Sequence, residues 1–185
     1  MAVDATKVRV AVTGAVSKGL TGATAPTGTA ATLTGFADLG GISEDGVTLS
    51  LPDNGDATPI KIWQNGATVR TVRTTSDDLP TLTFVMVETS LAVIETYFDV
   101  TVTQTSTEGS FAYVVQNRAA KSYVLDVIDG AELLRQYLPR GIVASVQEIK
   151  LTNTDAIGYG VTLEAELDTV KGYNFKSWLT ALKTP

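Results

Sequence analysis

Residues 161–168 read VTLEAELD, and their strict alternation commits them to a β-strand with two unlike faces. Val161, Leu163, Ala165 and Leu167 fall on one side; Thr162, Glu164, Glu166 and Asp168 fall on the other. A helix would scatter these carboxylates around its axis, whereas a strand sets them in a row about 7 Å apart. The same period of two recurs along the chain. Val8, Val10 and Val12 alternate with Lys7, Arg9 and Ala11 in a first strand, and Leu82, Phe84 and Met86 share one face of TLTFVMVE. A strand is also expected at Val47–Leu51, and further runs follow: VTVTQT, SFAYVVQN, SYVLDVID, AELLRQYLP and IVASVQEIKLT. Asn65-Gly66, set between strand-like runs, predicts a hairpin with a type I′ turn, which needs positive φ at both central residues.

The period changes at TSLAVIETYFD. There Leu91, Ile94 and Phe98 follow helical spacing behind Ser90 or Thr89 as N-cap, so one amphipathic helix is expected around 90–99. Phe175, Trp178, Leu179 and Leu182 repeat that spacing and predict a short helix in a C-terminal extension over 171–185. Residues 17–37 and 52–59 read as long loops. The first, rich in Gly, Thr and Ala, is either a surface loop or an arm that orders against a neighbour. The expected fold is therefore mainly β (β-rich α+β): one domain over 1–170, a sandwich or barrel with a single flanking helix.

The 185 residues contain neither cysteine nor histidine. That removes disulfides, thiolate nucleophiles, thiolate or imidazole zinc sites and every Ser–His or Cys–His mechanism. An enzyme would be left with carboxylates, Lys, Tyr or a cofactor, and the reading is a non-enzyme without cofactor. A formal charge of −6 disfavours a grip on nucleic-acid phosphates or an anionic membrane. The N-terminal stretch, with Asp4 and no apolar run, predicts no signal peptide, and no apolar run is long enough to cross a bilayer. Specific ligand motifs fail on inspection. GAVSKGLTG has Leu20 where a phosphate loop needs lysine; DNGD (53–56) lacks a closing Glu for calcium; Gly158 and Gly160 lack a third glycine.

What remains is charge on strands and turns. ISEDGVTLS (42–50) places Ser43, Glu44 and Asp45 in an acidic turn ahead of a strand, and Asp53, Asn54 and Asp56 crowd the next loop. Each is either solvated or a contact surface. Glu164, Glu166 and Asp168 are a solvated face, a wall that repels polyanions, or a hydrolase's carboxylates; Lys7 and Arg9 are their candidate partners across a sheet.

Three blocks in order carry a resemblance: DLGGISEDGVTLSL with IKIWQNGATVRTV, then TFVMVETSLAVIETYF, then LPRGIVASVQEIKLTNTDAIGYGVTLEAELD. Over roughly Val8 to Asp168 the chain resembles the major tail proteins (tail tube proteins) of long, non-contractile-tailed bacteriophages, the siphophage type. The resemblance implies a tail-tube β-sandwich or barrel that self-assembles as hexameric rings stacked into a tube for genome delivery. Its implied partners are further copies of itself and the tape-measure, tail-tip and tail-terminator proteins. Viral DNA passes through without specific binding and no membrane is engaged. The implied location is the virion tail, with assembly in the host cytoplasm. A loop or hairpin within 38–66 would reach the adjacent ring, so Ser43, Glu44, Asp45, Asp53, Asn54 and Asp56 become candidate stacking residues. Arg70, Arg73, Arg118 and Arg140 become their basic partners, and Glu164, Glu166 and Asp168 a candidate lumen face. The competing reading is an extracellular β-sandwich, an adhesin or carbohydrate-binding module using Trp63 or Trp178.

Overall fold

The structure is a computed structural model and describes residues 4, 7–20, 23–74 and 77–183. Its strands are β1 (Thr13–Gly19), β2 (Phe36–Asp38), β3 (Ile42–Ser50), β4 (Ala57–Lys61), β5 (Thr68–Arg73), β6 (Thr81–Met86), β7 (Thr103–Gln104), β8 (Gly109–Ser110), β9 (Lys121–Asp129), β10 (Glu132–Val146), β11 (Tyr159–Ala165) and β12 (Lys176–Leu179). One helix, α1 (Leu91–Tyr97), lies between β6 and β7.

The main antiparallel sheet runs β2-β1-β9-β10-β11-β6-β3, with β12 also paired to β10. Its two ends are one stretch of chain. Residues 36–38 pair with β1, residues 42–50 pair with β6, and the three residues between them carry the bend. Across that bend Leu39 N–H donates to Val16 O (2.9 Å) and Val87 N–H to Gly41 O (2.9 Å), so a single bent strand closes the sheet on itself. Closure of this kind removes most of the free sheet edge. The alternation read from sequence decides what faces inward: Leu82, Phe84 and Met86 of β6 and Val161, Leu163 and Ala165 of β11 are buried together with Leu39, Leu138 and Tyr123.

Helix α1 sits where its spacing predicts, with Ser90 Oγ accepting from Val93 N–H at 3.4 Å. Its buried face is different. Val93, Thr96 and Tyr97 are buried while Leu91 is exposed, because the barrel meets the helix one step round from the Leu91–Ile94–Phe98 stripe. Tyr97 O–H donates to Gln147 O, which ties the helix to the chain just beyond β10. Phe98 is partly buried at the edge of the core and also packs on Phe111 at 5.0 Å between ring centroids.

Five expectations are corrected. The strand over 7–12 is not formed: Val8, Val10 and Val12 are 61%, 63% and 70% exposed, because β9 ends at Asp129 and pairing with it begins only at Thr13. The loop expected from Ser17 starts later, since Ser17, Lys18 and Gly19 belong to β1, and Phe36–Asp38 at its far end is β2. The loop expected over 52–59 gives way to β4 at Ala57. SFAYVVQN forms strand only at its edge (Gly109–Ser110). The C-terminal spacing is strand at Lys176–Leu179, held by β10, with a 3₁₀ turn only at Thr180–Leu182.

Candidate assembly surfaces

Ser43, Glu44 and Asp45 do not form a turn ahead of a strand; they lie inside β3 as a bulge. Ile42 pairs with Met86 and Val47 with Phe84, so Ser43–Gly46 stand opposite Val85 alone. A bulge of this size bends the strand and throws its side chains off the ladder. Ser43 Oγ accepts from Asp45 N–H (3.3 Å), and Glu44 and Asp45 are exposed. Between this bulge and residues 11–15 lies a cleft of about 440 Å³, where β1 and β3 are not joined.

Asp53, Asn54 and Asp56 sit at the opposite end of β3, all exposed, where the chain leaves the barrel for a hairpin. Strands β4 and β5 pair with each other and with nothing else among the named strands, and every residue in both is exposed. The hairpin is the one expected, but its turn is not type I′. Only Gly66 has positive φ (68°); Asn65 does not. The loop instead spans 62–67, closed by Ile62 N–H to Ala67 O (3.0 Å) and by Ala67 N–H to the Asn65 side chain (2.9 Å). Trp63, 97% exposed, stands in that loop.

The four basic candidates separate. Arg70 and Arg73 are on β5, so they belong to the hairpin itself. Arg118 is half-buried, and its Nη1 is buried with no hydrogen-bond partner among the described residues. Arg140 Nη2 is 2.8 Å from Glu166 Oε2, an ion pair within the chain.

The carboxylates of 161–168 also separate. Glu164 stands on the outer side of β11, opposite Ile142 and Thr81. The strand ends at Ala165. Glu166 N–H donates to Arg140 O, and Asp168 closes a tight loop by accepting from Val170 N–H (2.9 Å) and Lys171 N–H (3.0 Å). That loop ends the alternation, so Leu167 is 51% exposed instead of buried. The Lys171 N–H bond above all, with that of Val170 and the Lys171 charge, holds the Asp168 carboxyl below its ordinary range despite the opposing effect of burial. Glu166, Asp168, Arg140 and Lys171 line an open cleft of about 920 Å³. A glycosidase-type pair needs one carboxyl with a raised pKa; Asp168 is moved the other way. Lys7 and Arg9 are not across a sheet from this face: Lys7 is 3.7 Å from Asp4, and Arg9 reaches Asp129 (4.0 Å) and Glu132 (3.9 Å).

Two buried polar clusters were not foreseen. Arg135 is buried, makes two 2.7 Å bonds to Asp126, and donates to the carbonyls of Gly28 (3.1 Å) and Ala31 (2.5 Å). It thereby ties the Gly/Thr-rich loop to the barrel. Lys18 lies 3.6 Å from Glu95, and Lys121 lies 2.5 Å from Asp99, which ends α1 in the left-handed region (φ 52°). Burial first, then Lys121, lowers the Lys18 pKa against the pull of Glu95. For Asp99, burial pushes upward, but the hydrogen bond and charge of Lys121 outweigh it and the net shift is down. The signal for the first cluster is strand register, which brings Arg135 opposite Asp126; the second depends on where α1 packs, since Glu95 lies on the helix and Asp99 just beyond it.

Among the described residues, no helix is long and apolar enough to cross a membrane, and no group of three acidic, His or Cys residues is placed to hold a metal. A family model described as phage tail tube protein matches residues 1–183. The chain belongs to that family. A phage tail tube protein is a structural component of the virion tail, and its surfaces are read accordingly as self-association surfaces. No curated protein matches the chain.

Proposed function

We propose that six copies of this tail tube protein close into a ring, and that rings stack into the channel through which a long, non-contractile tail delivers its genome. The observation that carries this reading is the β4–β5 hairpin: a two-stranded ribbon with every residue of both strands exposed, standing apart from a closed barrel. An isolated hairpin is marginal in water and gains by lying on another surface. Residues 57–73 hold Lys61, Arg70 and Arg73 and no acid, so the ribbon is basic on an acidic chain. It is suited to meet Glu44 and Asp45, or Asp53 and Asp56, of a copy in the adjacent ring.

Six copies at −6 give a ring of about −36, a wall that does not bind phosphates and lets DNA slide on its own counterions. Glu164, Glu166 and Asp168 are the lumen face in this reading. Arg140 and Lys171 offset part of that charge locally, so the repulsion belongs to the whole ring. Tape-measure, tail-tip and terminator proteins would set length and ends. The protein has no catalytic role here, and assembly takes place in the host cytoplasm.

Negative-stain microscopy of concentrated protein, alone and seeded with tail-tip complex, tests the reading. Hollow polymers built of six-fold rings are expected. A strictly monomeric protein under every condition would overturn it. Removing 57–73 and joining its ends should leave the barrel folded and stop stacking.

A further inference from the structure

A cleft of about 240 Å³ lies where the N-terminal segment crosses the start of β10, lined by Val10, Ala11, Val127, Leu133, Leu134, Leu179 and Ala181. Drug-sized ligands occupy pockets from about 300 Å³ upward, so this one is sized for a single large side chain. Its wall is apolar, and Asp129 and Glu132 stand on its rim with Arg9 between them. Ala11 and Val127 also line the larger cleft beside the β3 bulge. The two clefts share these residues and so adjoin, and the groove they make up has Glu44 at one end and Asp129 and Glu132, with Arg9, at the other.

The hairpin has the complementary features. Its tip carries Trp63, whose 97% exposure is unusual for a residue with so much apolar surface to bury. Lys61 stands two positions from that tryptophan, and Arg70 and Arg73 follow on the return strand. We propose that the groove receives the β4–β5 hairpin of a second copy of this chain, with Trp63 seated in the apolar pocket, Lys61 against Asp129 and Glu132, and Arg70 and Arg73 toward Glu44 and Asp45. The contact deepens the assembly reading above and rests on it. It is heterologous, a protrusion on one copy filling a socket on the next, so it propagates without closing on a dimer. An aromatic anchor in a desolvated pocket ringed by charge is the arrangement in which single residues dominate an interface.

The chain contains no cysteine, so a single engineered pair reports the contact cleanly. Gln64→Cys and Ala181→Cys both change exposed residues and leave Trp63 in place, so neither should disturb the fold or remove the anchor. The two variants are mixed at high protein concentration under mild oxidation and run without reductant. A disulfide-linked dimer is expected from the mixture and not from either variant alone. In a Trp178→Phe background, emission from Trp63 should shift to the blue on assembly, and Trp63→Ala should raise the critical concentration for polymers about 30-fold, ~2 kcal/mol. Tubes without the mixed disulfide or the shift would overturn the socket and leave the tube standing. The mixed disulfide in protein that never forms rings would support the socket and sink the tube reading. Neither polymer nor disulfide would overturn both.

Discussion

Replacing Arg135 with Met tests whether the barrel itself holds the Gly/Thr-rich loop. The guanidinium is buried, with 8% of its side chain exposed against 18% for Asp126, and it makes four hydrogen bonds to Asp126, Gly28 and Ala31. Met fills the aliphatic part of the space and leaves Asp126 uncompensated, a change that costs about 3–5 kcal/mol for a buried pair. Asp126 retains some access to water and the two carbonyls can rehydrate if the loop lifts, so about 3 kcal/mol is expected. That is a large share of the roughly 5–15 kcal/mol that holds a domain together. Urea unfolding of wild type and Arg135→Met gives the difference directly, and amide exchange locates it. Residues 23–35 should lose protection while β6 and β11 lose it only in step with global stability. The double change Arg135→Met with Asp126→Leu removes the stranded charge and should regain part of the loss. A single variant within 1 kcal/mol of wild type, or unchanged exchange over 23–35, would refute the claim that Arg135 anchors the loop.

Gly141→Ala should destabilise by about 1–3 kcal/mol in the same urea assay, since the new methyl would lie 2.7 Å from the ring of buried Tyr123; a neutral result would mean the ring has room to move. Asp99 has a folded pKa below its ordinary 3.8, so its contribution is present above that pH and is lost as pH falls through the lowered value. Asp99→Asn should therefore flatten the decline of the urea midpoint in acid, and parallel curves would exclude Asp99 as a cause. Changing Glu164, Glu166 and Asp168 together to Lys should leave tubes that form but eject DNA slowly at low salt, with recovery as salt rises. Loss of the Arg140–Glu166 pair costs about 1 kcal/mol or less, and loss of the two backbone N–H bonds that Asp168 accepts adds to that cost. Ejection at the normal rate would place these residues away from the lumen.

Sequence was a good guide where burial is one-sided. β6 and β11 bury the alternating residues that their pattern selects, because each is an interior strand with one face on the core. It was a poor guide where pairing decides. The alternation of Val8–Val12 is as regular as that of β11, yet the chain there has run past the end of its partner. AELLRQYLP and IVASVQEIKLT read as two separate strands, but β10 runs through both: the register shifts between Leu138 and Gly141, and Pro139 needs no ladder N–H in the bulge. Phe111 and Tyr113 look like strand residues and instead pack against the Phe98 ring, tilted and edge-on. Of the assembly surfaces, the hairpin was legible from Asn65-Gly66. The pairing of Arg140 with Glu166 was not, because it depends on two segments meeting beyond the end of a strand. The socket was invisible for the same reason, since it joins residues 9–11, 127–134 and 179–181.

The order of strands in the sheet also sets a timetable for synthesis. β1 has β9 as its principal neighbour, with Thr13 opposite Ile128. At about 5–20 residues per second, a strand made early waits several seconds for the residues that will hold it. During that wait the backbone groups it will turn to β9 are open, since the early strand β2 pairs only with Ser17–Gly19, and so are those of β1 on every other chain emerging from the same message. Once β9 leaves the ribosome it can accept the β1 of its own chain or that of a neighbour, because the two are chemically identical. Strand-exchanged dimers, each barrel closed by the other's first strand, are thus the misassembly this topology invites, and crowding of ribosomes on one message would favour them.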